Sequence, residues 1–311
     1  MRTLIVVSGG DAPGINATIA HYTALEPDAL GAQGGFAGVL NQHIEPIQRQ
    51  HLHTGYGGSY LASSREPVLA AADAPEKMRA ALAAFQVDNI LLFGGNGTLR
   101  HVLPLLEEWG IPTIGLPTTI DNDVPGTERT LGFDSACNYA YQAVEGVRAT
   151  AGALPGRIFM VETLGGDTGY LALEVAAGAG AHLALLPEYE PYDEMWLAAR
   201  LQYAIATYGH ALVVLSEGVK IIPRLEEMIP RLTGVRLRYT KLGHAQRGGI
   251  TTHLDRRLAF DMARLAHVAF NNGIQMGVVV VQQGQPTLNT HRLPETKELP
   301  DKALHDWING L

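Results

Sequence analysis

The sequence predicts an α/β fold of two stacked units with mainly parallel sheets. Three observations lead there. Short, wholly apolar, β-rich runs recur along the chain. Longer helix-compatible stretches separate them. The unusual residues (paired glycines, aspartates, clustered cations) fall just after the apolar runs. Strands apolar at every position imply burial on both faces, and alternation with helices implies parallel pairing through right-handed crossovers.

Taken in order, Leu4 to Val7 reads as a strand that runs into a Gly-rich turn, with a helix from about Ile15. Ile90 to Phe93 is a second strand, followed by Gly94-Gly95-Asn96-Gly97-Thr98 and a helix through Leu106. Pro112 to Leu116 is a third, with a loop over Pro117 to Gly126 and a helix from about Phe133 to Arg148. Arg157 to Val161, Leu183 to Leu186, Leu212 to Leu215 and Arg238 to Leu242 continue the rhythm, and Gly277 to Val281 is the last apolar strand. From Gln283 onward the chain is rich in Pro and polar residues, and reads as a surface segment ending in a short helix. No short-period repeat or low-complexity tract interrupts the pattern.

Composition narrows the function. With 311 residues and 46% hydrophobic content, the chain suits one large or two modest globular domains. Asp plus Glu is 31 against 23 Lys plus Arg, a net charge of −8, which argues against a general nucleic-acid binder. Any anion site must therefore concentrate its few cations in a pocket. The single cysteine, Cys137, rules out an internal disulfide and reads as a buried structural thiol. The apolar run after Met1 is too short for a signal-peptide core, and the remaining runs have strand length, so a cytoplasmic protein without a membrane partner is expected.

Four segments carry chemistry. Ser8 to Ala17 holds Gly9, Gly10 and Gly14 between a strand and a helix, where glycines admit a close ligand and helix N–H groups face an anion. Gly94 to Thr98 repeats that architecture, and two such turns suggest a phosphate-rich ligand across both; each alone could be packing. Pro117 to Asp123 places Asp121 and Asp123 in one loop with Thr119. One carboxylate can take a proton from a hydroxyl and the other can orient a metal or donor, although Asp and Asn also form turns. Arg238, His244 and Arg247 gather around Lys241 to Gly249 and could clamp a phosphate monoester.

Together, the strings Gly9-Gly10-Asp11-Ala12-Pro13-Gly14, Thr119-Ile120-Asp121-Asn122-Asp123 and Leu242-Gly243-His244 with Gln246-Arg247-Gly248-Gly249 resemble the bacterial 6-phosphofructokinase family from residue 3 to about 270. The resemblance implies two Rossmann-like lobes of the phosphofructokinase fold: a donor-binding lobe over 1–135, a sugar-phosphate lobe over 136–282 with the chain crossing between lobes, and a C-terminal surface segment over 283–311. It implies fructose 6-phosphate as substrate, Mg2+, a phosphoryl donor and a homotetramer or dimer. By motif position, Asp121 is the general base, with Thr119 and Asp123 supporting the reacting groups. Gly10, Arg65, Asn96, Gly97 and Thr98 hold the donor. Arg238, His244 and Arg247 bind the sugar phosphate, Glu217 its hydroxyls, and Arg157 is given across a subunit interface.

Departures from the family pattern set further expectations. Asn96 stands where the family has a metal-serving aspartate; an amide is the weaker ligand, so the metal should lean on Asp123, donor phosphates and water. Gly166 stands where the family's Met-Gly-Arg segment has its arginine, a loss that can slow transfer. Gly97 leans toward ATP over pyrophosphate, while Thr118 matches neither class. Ala20, Ala24, Ala206 and Tyr208 replace basic effector-site residues, so effector control should be weak. The alternatives are a pyrophosphate-dependent enzyme, a kinase of a related sugar phosphate, or a weakened member serving as a regulatory or partner subunit in a hetero-oligomer.

Overall fold

The computed structural model describes residues 1–64 and 67–311. Arg65, expected at the donor phosphates, lies outside the described residues. In chain order the first half contains β1 (Thr3–Ser8), α1 (Ile15–Leu25), β2 (Leu30–Ala32), α2 (Gly35–Leu40), β3 (Ile44–Pro46), α3 (Ala74–Ala84), β4 (Asn89–Gly94), α4 (Asn96–Glu108), β5 (Thr113–Pro117) and α5 (Phe133–Ala153). There follow β6 (Arg157–Thr163), α6 (Tyr170–Gly178), β7 (Leu183–Leu185), α7 (Glu194–Tyr208), β8 (His210–Ser216), α8 (Ile222–Thr233), β9 (Leu237–Lys241), α9 (His253–Asn271), β10 (Met276–Gln282), β11 (Gln285–Asn289) and α10 (Lys302–Asn309). The runs at Leu4, Ile90, Arg157, Leu212 and Gly277 fall within β1, β4, β6, β8 and β10, which are buried nearly throughout, whereas β9 is half-buried and ends one residue before the expected Leu242.

The chain forms two compact units, residues 1–135 with 247–297 and residues 136–246 with 298–311. The first holds a seven-stranded sheet in the order β11-β10-β5-β4-β1-β2-β3. Its centre is parallel, and the outer pairs β10–β11 and β2–β3 are antiparallel. Every residue of β1 and β4 is buried. Strand alternation sends Leu4, Val6, Ile90 and Leu92 to one face, where they pack with Phe36, Met78 and Leu106. Each such side chain contributes roughly 1.5–3 kcal/mol by leaving water.

The second unit is a parallel sheet in the order β7-β8-β6-β9. Ile158, Met160, Val213 and Leu215 pack with Leu197, Leu201 and Leu225.

The expected lobe boundaries change at their far ends. Residues 247–297 join the first unit, since α9 packs on α1 and β10 pairs with β5. The expected surface segment over 283–311 also divides. Residues 285–289 extend the first sheet as β11. Helix α10 buries His305 and Asn309, and the Asn309 amide exchanges hydrogen bonds with the Ala184 backbone at 2.9 and 3.0 Å. Both features are tertiary and leave little mark on a polar sequence.

Candidate active site

In the first unit the carboxyl ends of β1, β4 and β5 open into a cavity of about 440 Å3. Gly9, Gly10, Asp11, Asn96, Gly97, Thr98, Thr119, Asp121, Asp123 and Arg247 all line it. Loops after three adjacent parallel strands must converge at one sheet edge, which is how residues from separate sequence segments meet.

The loop after β1 is shaped by glycine. Gly9 has φ +95°, and its amide donates to Ser64 O at 3.1 Å. Gly14 caps α1 with φ +101°, and a Cβ there would lie 2.6 Å from Leu131 Cδ1. No side chain caps the start of α1 or α4, and neither has an acidic first turn, so both present amide groups suited to an anion. Asn16 explains its place in the string: it accepts from Tyr60 N at 2.7 Å and donates to His53 O at 3.3 Å, fastening the 53–60 loop.

The loop after β4 is tied to the first. Thr98 Oγ1 lies 3.2 Å from Ser8 Oγ and donates to Ser8 O at 3.3 Å. A Cβ on Gly94 would collide with Thr98 at 2.5 Å. Gly97 differs, because a Cβ there would meet nothing within 4 Å. The glycine leaves space in the cavity and serves no packing need.

The loop after β5 turns on Asn122, which is buried and held at φ +53°. Its side chain donates to Glu128 O at 3.1 Å and accepts from Thr130 N at 3.0 Å. Thr119 Oγ1 accepts from the Asp121 amide at 3.1 Å. This lattice fixes the backbone on both sides of Asp121 and Asp123. Burial raises the Asp123 carboxyl above its ordinary range, against its own backbone amide, the Asn96 side chain and the Lys297 ammonium. Burial in turn lowers Lys297 to about 8, with Asp123 opposing. Among the described residues, no group of three or more His, Cys, Asp or Glu side chains gathers to hold a metal by itself.

Arg247 was expected with the sugar-phosphate cations, and the structure brings it into this cavity. Its guanidinium approaches Gly10 closely, 3.2 Å from a Cβ built there. The backbone is held by Gly57 N to Gly249 O at 2.8 Å and Thr251 N to Gly55 O at 3.0 Å. Burial raises Asp11, while the Arg247 charge and two backbone amides oppose. Asp11 Oδ1 and Arg247 Nε are buried without a hydrogen-bond partner among the described residues. Asp11 was not assigned a role from sequence, although it stands inside the first string.

The second unit carries the other expected residues. Glu217 follows β8 and accepts from Gly166 N at 3.0 Å through Oε1. Gly166 has φ +58°, a conformation in which an arginine would be strained. His244 sits in the short 3₁₀ segment Gly243–Gly248. Arg157 opens β6, whereas Glu217 follows the opposite end of the sheet, roughly 20 Å away at strand rise. Arg238 pairs with Phe159 and therefore shares the Arg157 end and face. Within one chain the register places Arg238 beside Arg157.

Comparison with known proteins adds a separate line. The family model described as phosphofructokinase matches residues 2–270. The ATP-dependent 6-phosphofructokinase of Thermoanaerobacter sp. (strain X514) is 37% identical over 285 residues, 88% of this chain and 87% of that protein. The protein of the same name from Coxiella burnetii (strain RSA 493 / Nine Mile phase I) is 33% identical over 313 residues, 97% and 95% of the two chains. Among solved structures, Pichia pastoris phosphofructokinase in the T-state superposes with a TM-score of 0.84 at 22% identity; 93% of this chain is covered, which spans about a third (34%) of that one. The pyrophosphate-dependent phosphofructokinase of Marinobacter aquaeolei gives 0.81 at 22% identity, covering 96% of this chain and 85% of the other. At such identities the structures speak for the fold.

Proposed function

The chain belongs to the phosphofructokinase family, and from that membership we propose that it transfers a phosphoryl group from ATP to the 1-hydroxyl of fructose 6-phosphate, the committed glycolytic phosphorylation. One observation carries the reading: three aspartates, the start of α4 free of a side-chain cap and a buried arginine edge line a single cavity.

In the proposed reaction the 1-hydroxyl oxygen bonds to the γ-phosphorus as the bond from that phosphorus to the β,γ-bridging oxygen breaks. The hydroxyl proton passes to the Asp121 carboxylate, and ADP leaves. Such a transfer depends mainly on placement and charge stabilisation. Gly10, Asn96, Gly97 and Thr98 would seat the donor, with Thr119 and Asp123 beside the reacting groups. One or two carboxylates plus donor phosphates suffice for Mg2+, and Asp123 meets that need, with Asn96 a weak further ligand. When bound, the ion neutralises charge on the transferred group. Arg238, His244 and Arg247 are assigned to the sugar phosphate, and Glu217 to its hydroxyls. Arg157 and Arg238, at one sheet end, would serve another copy in a homotetramer or dimer. A cytoplasmic setting follows from the proposed reaction, and no helix among the described residues is long and apolar enough to cross a membrane.

The open space at Gly97 favours a nucleotide over pyrophosphate. A second reading, a weakened member acting as a sugar-phosphate-binding partner subunit, draws on Asn96, whose side chain hydrogen-bonds to Asp123. A coupled assay with fructose 6-phosphate, Mg2+ and either donor separates them. Turnover with ATP supports the first reading; turnover with pyrophosphate alone transfers it to that donor. Sugar-phosphate binding without turnover supports the second.

A further inference from the structure

The aspartate loop is gripped from outside by a segment that sequence alone assigns to the surface. After β11 the chain runs along the loop. Leu293 packs on the cluster containing Leu99, Val124 and Val280. A Cβ on Gly126 would lie 2.9 Å from Pro294 Cδ, so loop and segment are in close contact. A few residues on, the half-buried Lys297 donates its ammonium to the backbone carbonyl of Asn122. That carbonyl belongs to the residue between the two aspartates.

We propose that Lys297 is a positioning residue of the phosphoryl-transfer site, its ammonium locking the Asn122 carbonyl and so fixing the backbone from which Asp121 and Asp123 project. The inference rests on the kinase reading for its catalytic consequence, while the locking itself does not. Asn122 stands at positive φ, a conformation uncommon for a residue with a Cβ and held only by surrounding contacts. Its side chain is already committed to Glu128 and Thr130. The carbonyl is a further polar handle of this residue, and a cation is a strong donor to it. The ammonium also brings positive charge beside Asp123, in a loop whose other charged groups next to Asn122 are carboxylates. Lysine serves this role through a long stem from a segment packed by its apolar neighbours.

The test compares the full-length protein with Lys297→Met and Lys297→Arg. Hydrogen exchange of the free protein reads the lock without needing activity. Exchange at the Asp121 and Thr130 amides should quicken in Lys297→Met and stay near wild type in Lys297→Arg. In the coupled assay, kcat should fall between about 10- and 100-fold in Lys297→Met, as expected for a small misplacement of reacting groups, with KM for both substrates little changed. Lys297→Arg should recover most of that loss, which a packing defect would not allow. Wild-type exchange in this loop for Lys297→Met, or unchanged kcat, would overturn the proposal. A wild-type protein inactive with either donor would defeat the kinase reading alone, and the exchange result would still decide Lys297. Should Lys297→Met not fold, Lys297→Gln carries the same measurements.

Discussion

Replacing Gly97 by aspartate should make the protein slightly more stable and a much poorer user of ATP. A Cβ at Gly97 enters open space, so the change has no steric cost. The residue lies in the first turn of α4, which carries no acidic side chain. An aspartate there complements the helix dipole and removes a glycine from a helix, together worth about 1 kcal/mol, or a Tm increase of roughly 2–3 °C. The same carboxylate enters the cavity proposed to hold the donor. At roughly 5 Å and an effective dielectric near 20, each donor phosphate charge costs about 3 kcal/mol, reduced by screening. A fall in kcat/KM for ATP of about 10- to 100-fold follows. Thermal unfolding and coupled-assay kinetics on one preparation give both quantities. Greater stability with unchanged ATP kinetics would show that the donor does not occupy this cavity.

Other outcomes follow from the same geometry. Asp255 is fully buried on α9 and accepts from Gly132 N, Ser135 N and Ser135 Oγ at 2.9, 2.8 and 2.5 Å, anchoring the end of the aspartate loop. Burial lifts its carboxyl to about 6 despite these donors. The folded state therefore holds this proton more tightly than the unfolded chain. Its stabilising effect is complete below about pH 4 and is lost as pH rises through about 6. Between pH 7 and 5 the urea midpoint of the wild type should gain on that of Asp255→Asn; parallel curves would contradict this. Restoring Asn96→Asp with Gly166→Arg should raise kcat in the coupled assay. The arginine at φ +58° should lower stability by about 1–2 kcal/mol. No gain in rate would remove the explanation given for these two departures.

What the sequence made legible was local. Leu4 to Val7 and Ile90 to Phe93 announce central strands because burial on both faces leaves no polar position. The strings at Gly9, Gly94 and Thr119 announce their loops because each needs glycine or a side-chain-braced turn within a few residues. The short strands β2 and β3 left no signal, with only three residues each. The return of α9 to the first unit depends on packing against α1 and on Asp255 meeting Gly132, contacts between residues far apart in the chain. Arg238 was read with His244 because they are near in sequence, and its place beside Arg157 emerges only from strand register. Lys297 is a lone lysine in a polar stretch, a pattern that usually marks a solvated side chain, so only tertiary structure reveals its partner.

Single-turnover transfer from γ-labelled ATP to fructose 6-phosphate, run on wild type and Asp121→Asn with ATP binding measured on both, bears most directly on the proposed chemistry. Label should reach the sugar 1-position in the wild type. The variant should bind ATP equally well yet transfer about 10²- to 10⁴-fold more slowly, the usual loss of a general base. Transfer by Asp121→Asn at the wild-type rate would mean that another group takes the hydroxyl proton.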